Sequence, residues 1–232
     1  MPTSGGPSSS AAVCVALASS LLKHHAVRSD SYTATDIAYK AERDRVATGC
    51  GTQDQIIVTL GGVRLLDFAA YKEYPRTITG APEAMDYYVV VASPGGRTGY
   101  DDISGDLIRR SQINESRIAV YKDLNRSVPT KIFHALIDRD LTALKALSRF
   151  STEAIRHLVN IDNDPVSKMI QTAEEHGSVY ARPSGPRPQG GVMAALALDL
   201  SIAQSVAEAL KPLSAFVAVD RLGKSGTEAF SC

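Results

Sequence analysis

The chain opens Met1-Pro2-Thr3-Ser4-Gly5-Gly6-Pro7-Ser8-Ser9-Ser10-Ala11-Ala12 and passes without a break into an apolar, alanine-rich segment, Val13 to Leu22. Gly5 and Gly6 let the backbone turn sharply and approach a ligand closely. Ser8, Ser9 and Ser10 stand where a helix would begin, and serine is a preferred N-cap. Such a helix start presents unpaired backbone N–H groups and the positive end of a dipole, which together suit a phosphate. A frayed terminus followed by an ordinary capped helix accounts for the same stretch equally well, because Gly/Ser loops are common.

Working outward, residues 11–26 read as a mostly apolar helix closed by His24 and His25. Residues 33–46 read as a second helix, with Ile37, Tyr39, Ala41 and Val46 as a partial apolar face. Gly49 and Gly51 punctuate a loop over 48–53, and residues 54–60 fit a strand or a helix. Gly61-Gly62 breaks the chain before a strand over 63–68. The stretch 75–82 reads as a linker, which places a domain boundary between 1–78 and 79–232. Tyr87 to Ala92 has the β-branched and aromatic content of a buried strand. Helices are expected over 101–122, 129–138, 140–149, 151–158, 165–176 and 202–211, and strands over 179–182, 192–198 and 215–219. Helices and strands mix without regular alternation, which predicts an α+β fold.

The bulk numbers narrow the function. A chain of 232 residues suits one large domain or two small ones. Its 25 basic and 25 acidic residues cancel, and no basic run occurs, so charge gives no case for a nucleic-acid or membrane-surface partner. Cys14, Cys50 and Cys232 are an odd, widely spaced set without C-x-x-C spacing, which reads as reduced thiols, Cys14 as a small core residue. The five histidines form no metal-ligand pattern. There is no basic n-region of a secretory signal and no run of about 20 apolar residues, so a cytoplasmic location is expected.

Glycine-rich loops at 3–10, 94–99 and 184–191 frame the chemistry, with Gly49-Cys50-Gly51-Thr52-Gln53-Asp54-Gln55 between the first two. An acid in a glycine-punctuated loop suits a general base toward a hydroxyl. Glu42 lies 12 residues upstream of Asp54, near the end of the second helix. Two carboxylates so placed can reach one metal, and hard oxygen donors suit Mg²⁺ arriving with a nucleotide's phosphates. Taken singly, Glu42 reads as a solvated helix position paired with a nearby arginine and Asp54 as an N-cap.

Together these segments resemble the GHMP small-molecule kinases, nearest to galactokinases and to the heptose 7-phosphate kinases of nucleotide-sugar pathways. Pro2 to Ala12 is similar to that family's Ser-Ser-Ala phosphate loop. Cys50-Gly51-Thr52-Gln53-Asp54-Gln55 is similar to the Cys-Gly-x-x-Asp-Gln segment of galactokinases, and Gln53-Asp54-Gln55 with Gly61-Gly62 to the heptose kinases. Ala41-Glu42 stands at the family's usual distance from the aspartate. Gly96-Arg97-Thr98-Gly99 and Arg182-Pro183-Ser184-Gly185 resemble two later family loops.

The resemblance implies a two-domain α+β fold, with an incomplete N-terminal βαβ-type, ATP-binding domain and a C-terminal ferredoxin-like α/β domain with extra helices. It implies ATP and Mg²⁺ as cofactors and phosphoryl transfer to a sugar or sugar-phosphate hydroxyl, the anomeric one. Gly5, Gly6, Ser8, Ser9, Ser10, Ala11, Ser184, Gly185, Gly190 and Gly191 would bind the nucleotide. Ser10 and Glu42 would hold the metal, Asp54 would act as base, and Gln53, Gln55, Arg97, Thr98 and Gly99 would contact substrate. Pro7, Pro186 and Pro188 depart from the family pattern, Pro7 by removing a backbone donor. Family members carry about a hundred residues before the phosphate loop, so the resemblance also implies a truncated N-terminal domain. On that reading the sequence is a fragment, the product of a mis-started gene model, or a naturally truncated protein with a partner supplying N-terminal strands; a homodimer is the other expected assembly. An inactive sugar- or nucleotide-binding relative and a mevalonate- or phosphomevalonate-type kinase are the alternative readings.

Overall fold

The computed structural model describes residues 8–45, 50–68, 73–81, 85–95, 115–158, 164–184 and 191–224. They divide into two compact units, one of residues 8–81 with 223–224 and the other of residues 85–222.

The first unit is mainly helical. It contains α1 (Ser9–His24), α2 (Ser31–Lys40), a π-helical turn (Ala41–Arg45), α3 (Gln53–Leu60) and the antiparallel pair β1 (Arg64–Asp67) and β2 (Thr77–Gly80). Ala11, Val15, Ala18 and Leu22 recur at helical spacing and form the buried stripe of α1. Small side chains let α2 approach closely, and Ala18 and Leu22 pack on Ala34. Val13, Leu17 and Leu21 lie on the outer side of α1 and are exposed. Asp30 starts α2, its Oδ1 accepting from the Thr33 N–H at 2.8 Å.

Residues 54–60 are helical although Ile56, Ile57 and Val58 favour strands. Gln55, Ile56 and Thr59 are buried at helical spacing, so packing overrides propensity. Gly61, at φ 63°, then stops the helix. The expected linker at 75–82 is instead partly a strand: Thr77 to Gly80 pair with Asp67 to Arg64.

The second unit follows β3 (Tyr88–Ser93), α4 (Glu115–Ile137), α5 (Leu141–Leu158), α6 (Asp164–Glu175), β4 (Tyr180–Ser184), β5 (Val192–Ala197), α7 (Leu200–Leu210), a 3₁₀ turn (Lys211–Leu213) and β6 (Phe216–Arg221). The sheet order is β4-β5-β3-β6 with every neighbour antiparallel. With α6 before β4 and α7 before β6, this is the ferredoxin-like β-α-β-β-α-β arrangement with α4 and α5 added. Val166, Met169, Ile170 and Ala173 of α6 and Ala203, Val206, Ala207 and Leu210 of α7 bury against Val90, Ala92, Met193, Ala195 and Ala197 of the sheet. Alanines on the strands leave room for the larger helix side chains.

Pro183 sits on the edge strand β4, where a missing N–H does least harm. Ser148 of α5 covers that edge, donating to the Ala181 carbonyl at 2.6 Å and accepting its N–H at 2.9 Å. Two expectations change here. The helices expected at 101–122 and 129–138 are, in the described part, one helix from Glu115 to Ile137 with Pro129 inside it. Those expected at 140–149 and 151–158 are the single helix α5. The expected helix residues 101–114 lie outside the described residues. Among the described residues no helix is long and apolar enough to cross a membrane.

Candidate functional site

Within the helical unit, the polar residues singled out by sequence lie on α1 (Ser10), the π turn (Glu42) and α3 (Gln53, Asp54, Gln55). α2 runs directly into the π turn, whose extra residue per turn changes which side chains face inward. Glu42 thereby points into the unit and is only 4% exposed, while Arg43 points out, donates to Tyr39 and Glu73 and lies with its guanidinium 5.5 Å from the Tyr39 ring. The bland expectation for Glu42, a solvated carboxylate beside an arginine, is therefore overturned: the arginine pairs elsewhere.

A buried carboxylate needs a donor. Gln55, one turn into α3 and 1% exposed, supplies it: its Nε2 donates to Glu42 Oε2 at 2.5 Å. The same Nε2 lies 4.0 Å from Cys50 Sγ. Gln55 Oε1 is buried without a hydrogen-bond partner. The sequence placed Gln55 against substrate; its amide is instead turned into the protein onto Glu42.

Cys14 of α1 borders the same cluster. Burial pushes its thiol above the ordinary range, and the nearby Glu42 carboxylate and Cys50 push it the same way. Ser10 lies four residues before Cys14, one turn earlier on the same side of α1, and is exposed. Ser8 precedes the helix in the left-handed region at φ 54°, and its side chain does not cap. The first intrahelical bond runs from the Ala12 N–H to the Ser8 carbonyl at 3.0 Å, so the Ser9, Ser10 and Ala11 amides precede the helical ladder.

Asp54 lies in the first turn of α3, where a carboxylate is favoured by the helix dipole, and it is half-buried. It is not the N-cap; Thr52 holds that position. The Thr52 side chain is buried and donates to the Glu73 carbonyl, tying the start of α3 to the segment before β2. Gln53, beside Asp54, is exposed. A second tie, Thr35 Oγ1 to Thr59 Oγ1 at 2.9 Å, locks α2 to α3.

In the sheet unit, two of the glycine-rich loops leave from one end of the sheet. Ser184 ends β4 opposite Val192, and Ala92 pairs with Met193. Ser93 Oγ donates to the Gly191 carbonyl at 2.9 Å and accepts the Gly95 N–H at 3.3 Å. Gly95, at φ 78°, leaves no space for a side chain, since a Cβ there would stand 2.9 Å from Ala215 Cβ. Ser184 and Gly191 thus flank this loop mouth. Gly5, Gly6, Pro7, Gly185, Pro186, Pro188, Gly190, Arg97, Thr98, Gly99 and Cys232 lie outside the described residues.

The sequence did not reveal the Glu42–Gln55 pair, Thr52 as an anchor, or Ser93 as the bolt between two loops. Spacing alone carries no sign of which way Gln55 turns, and nothing around Ser93 distinguishes it from any strand-end serine. As to metals, Ser10 and Glu42 offer hard oxygen donors of the kind Mg²⁺ takes, and the orphaned Gln55 Oε1 marks a polar, unsatisfied interior beside Glu42. Among the described residues no group of three or more His, Cys, Asp and Glu is placed to hold a metal.

The family description GHMP kinases N terminal domain matches residues 1–62. The fold is similar to that of L. major mevalonate kinase in complex with R-mevalonate (TM-score 0.77, 19% identity, 94% of this chain and 67% of that one). It is also similar to Lactococcus lactis galactokinase complexed with galactose (0.75, 15% identity, 97% and 68%). Homoserine kinase from Cytophaga hutchinsonii is a third (0.71, 16% identity, 97% and 69%). The chain thus spans about two thirds of each of these structures. No curated protein sequence matches it. The matched N-terminal segment holds Ser10, Glu42, Asp54 and Gln55, and it is over this segment that the chain is similar to the GHMP kinases, whose fold it shares with these structures.

Proposed function

We propose that this chain is an ATP-dependent kinase that transfers the γ-phosphoryl group to a hydroxyl of a sugar or sugar phosphate, the anomeric hydroxyl of a galactose- or heptose 7-phosphate-like acceptor. The observation that carries the reading is the buried Glu42 carboxylate, held by Gln55 beside the first turns of α1. A carboxylate kept inside a small helical unit is costly unless its charge is used, and desolvated acids with a specific partner cluster at functional sites. Ser10 and Glu42 would hold Mg²⁺, which when bound neutralises charge on the nucleotide's phosphates. The backbone amides at the start of α1 would take phosphate oxygens. Asp54 would orient the acceptor hydroxyl and accept its proton as the new O–P bond forms and the bond to the departing ADP breaks.

The sugar acceptor rests on Gln53, an exposed amide beside Asp54 able to donate to and accept from hydroxyls, and on the Cys-Gly-Thr-Gln-Asp-Gln segment. The mevalonate-type reading stays beside it because the structures of similar fold, by their own descriptions, include both a mevalonate kinase and a galactokinase. A cytoplasmic location accompanies either reading.

Calorimetric titration of the purified chain with a non-hydrolysable ATP analogue, with and without Mg²⁺, tests the proposal. Saturable binding that depends on Mg²⁺ is expected, followed by ATP turnover with a sugar and not with mevalonate. A folded chain that binds no nucleotide overturns it in favour of an inactive relative.

A further inference from the structure

Gln55 is buried, on the inner side of α3, and makes one strong polar contact: Nε2 to Glu42 Oε2 at 2.5 Å. Its other amide atom, Oε1, is equally buried and has no hydrogen-bond partner. A side chain retained for packing alone would be better served by leucine or methionine, which fill a similar volume and leave no orphaned acceptor. The glutamine therefore maintains the carboxylate and not the core. Glu42 sits on a π turn, and π-bulges recur at functional sites. Its side chain crosses from that turn toward α3, where the Gln55 amide meets it as a support fixed on a rigid helix.

The neighbouring groups fit a site held in register. Thr52 anchors the start of α3 on the Glu73 carbonyl, and Thr35 ties α2, which leads into the Glu42 turn, to Thr59 one turn beyond Gln55.

We infer that Gln55 is a positioning residue: its amide N–H fixes the orientation in which Glu42 presents its carboxylate to a divalent cation, and Gln55 itself touches neither nucleotide nor acceptor. The inference rests on the kinase reading given above. It reverses the expectation that Gln55 binds substrate, because an amide only 1% exposed and turned onto Glu42 is closed off from an acceptor hydroxyl outside. Outer partners of metal ligands typically contribute about 10- to 100-fold in metal affinity, through orientation of the ligand.

The test compares the wild-type chain with Gln55→Leu and Gln55→Met. Both remove the Nε2 donor and the orphaned acceptor while keeping most of the volume. Mn²⁺ binding is followed by electron paramagnetic resonance in the presence of a non-hydrolysable ATP analogue, and thermal unfolding is recorded in parallel. The expected result is a roughly 10-fold or greater weakening of Mn²⁺ affinity in both variants. Both variants should unfold at a lower temperature than the wild type, since Glu42 is left buried without this donor, and the affinities are compared at a temperature where all three chains are folded. Turnover should recover at high Mg²⁺, with the KM for the acceptor unchanged. Wild-type Mn²⁺ affinity in a folded variant overturns the inference, and so does an acceptor KM that rises while metal affinity holds, which would return Gln55 to the substrate. A wild-type chain that binds neither Mn²⁺ nor nucleotide overturns the kinase reading itself, independently of the variants.

Discussion

Behind the four-stranded sheet, Met193, Ala195, Val206 and Leu210 meet in an apolar core whose buried polar groups are small hydroxyls, Ser93 and Ser148 bonded to backbone and Ser178 without a partner. Between α1, α2 and α3 the interior is of another kind: Thr35, Glu42, Thr52, Gln55 and Thr59 are buried there side by side with Ala11, Val15 and Ile56. Burying polar groups costs stability unless each finds a partner, and one of these, Gln55 Oε1, has none. The sheet unit is built as a scaffold that holds two glycine-rich loops at one end. The helical unit gives up apolar burial to hold a carboxylate, as expected where structure is subordinated to chemistry.

The contrast can be broken at several points. The largest stability effect belongs to the apolar core: Leu210→Ala, at a fully buried position on α7, should cost about 2–5 kcal/mol of unfolding free energy by denaturant titration. A loss well under about 1 kcal/mol would mean that the sheet core is loosely packed. In the helical unit, Thr59→Val keeps the shape and removes the acceptor of the Thr35 hydroxyl; about 1–3 kcal/mol should be lost. If Thr59→Val is neutral, the α2–α3 tie is incidental, and polar burial there is not structural.

The smallest effect is one of pH. Asp199 caps α7, accepting from the Ile202 N–H at 2.8 Å, and that backbone hydrogen bond, then the one from Ser201, lowers its pKa below the ordinary 3.8. A lowered folded-state value means that stability is present above 3.8 and lost as pH falls through that lower value. In the Asp199→Asn variant the amide oxygen still caps the helix but the side chain does not titrate. That variant should keep its neutral-pH stability and lose part of the acid dependence. An unchanged acid limb would contradict the assignment.

Much of the fold was legible in the sequence for physical reasons that can be named. α1 announced itself through serines leading into an alanine-rich apolar run, and β3 through Tyr88-Val89-Val90-Val91. α3 did not, because Ile56-Ile57-Val58 has strand propensity that packing overrides. β2 was hidden as a linker, since Thr77-Ile78-Thr79-Gly80 is a short strand whose pairing partner is the upstream segment Arg64–Asp67. Pro129 made one helix look like two. At the site, spacing drew attention to Glu42 and Asp54, but the direction of a side chain depends on the π turn, and that depends on packing. For the same reason Gln55 looked like a substrate ligand in the sequence and is a buried support in the fold.

The most direct test of the account is the turnover of Asp54→Asn beside its nucleotide affinity. The half-buried carboxylate at the start of α3 is assigned the proton of the acceptor hydroxyl, and Glu42 the metal. The variant should bind Mg²⁺ and the ATP analogue as the wild type does while losing about 10²–10⁴-fold in kcat. Wild-type turnover in a folded Asp54→Asn variant would contradict the account.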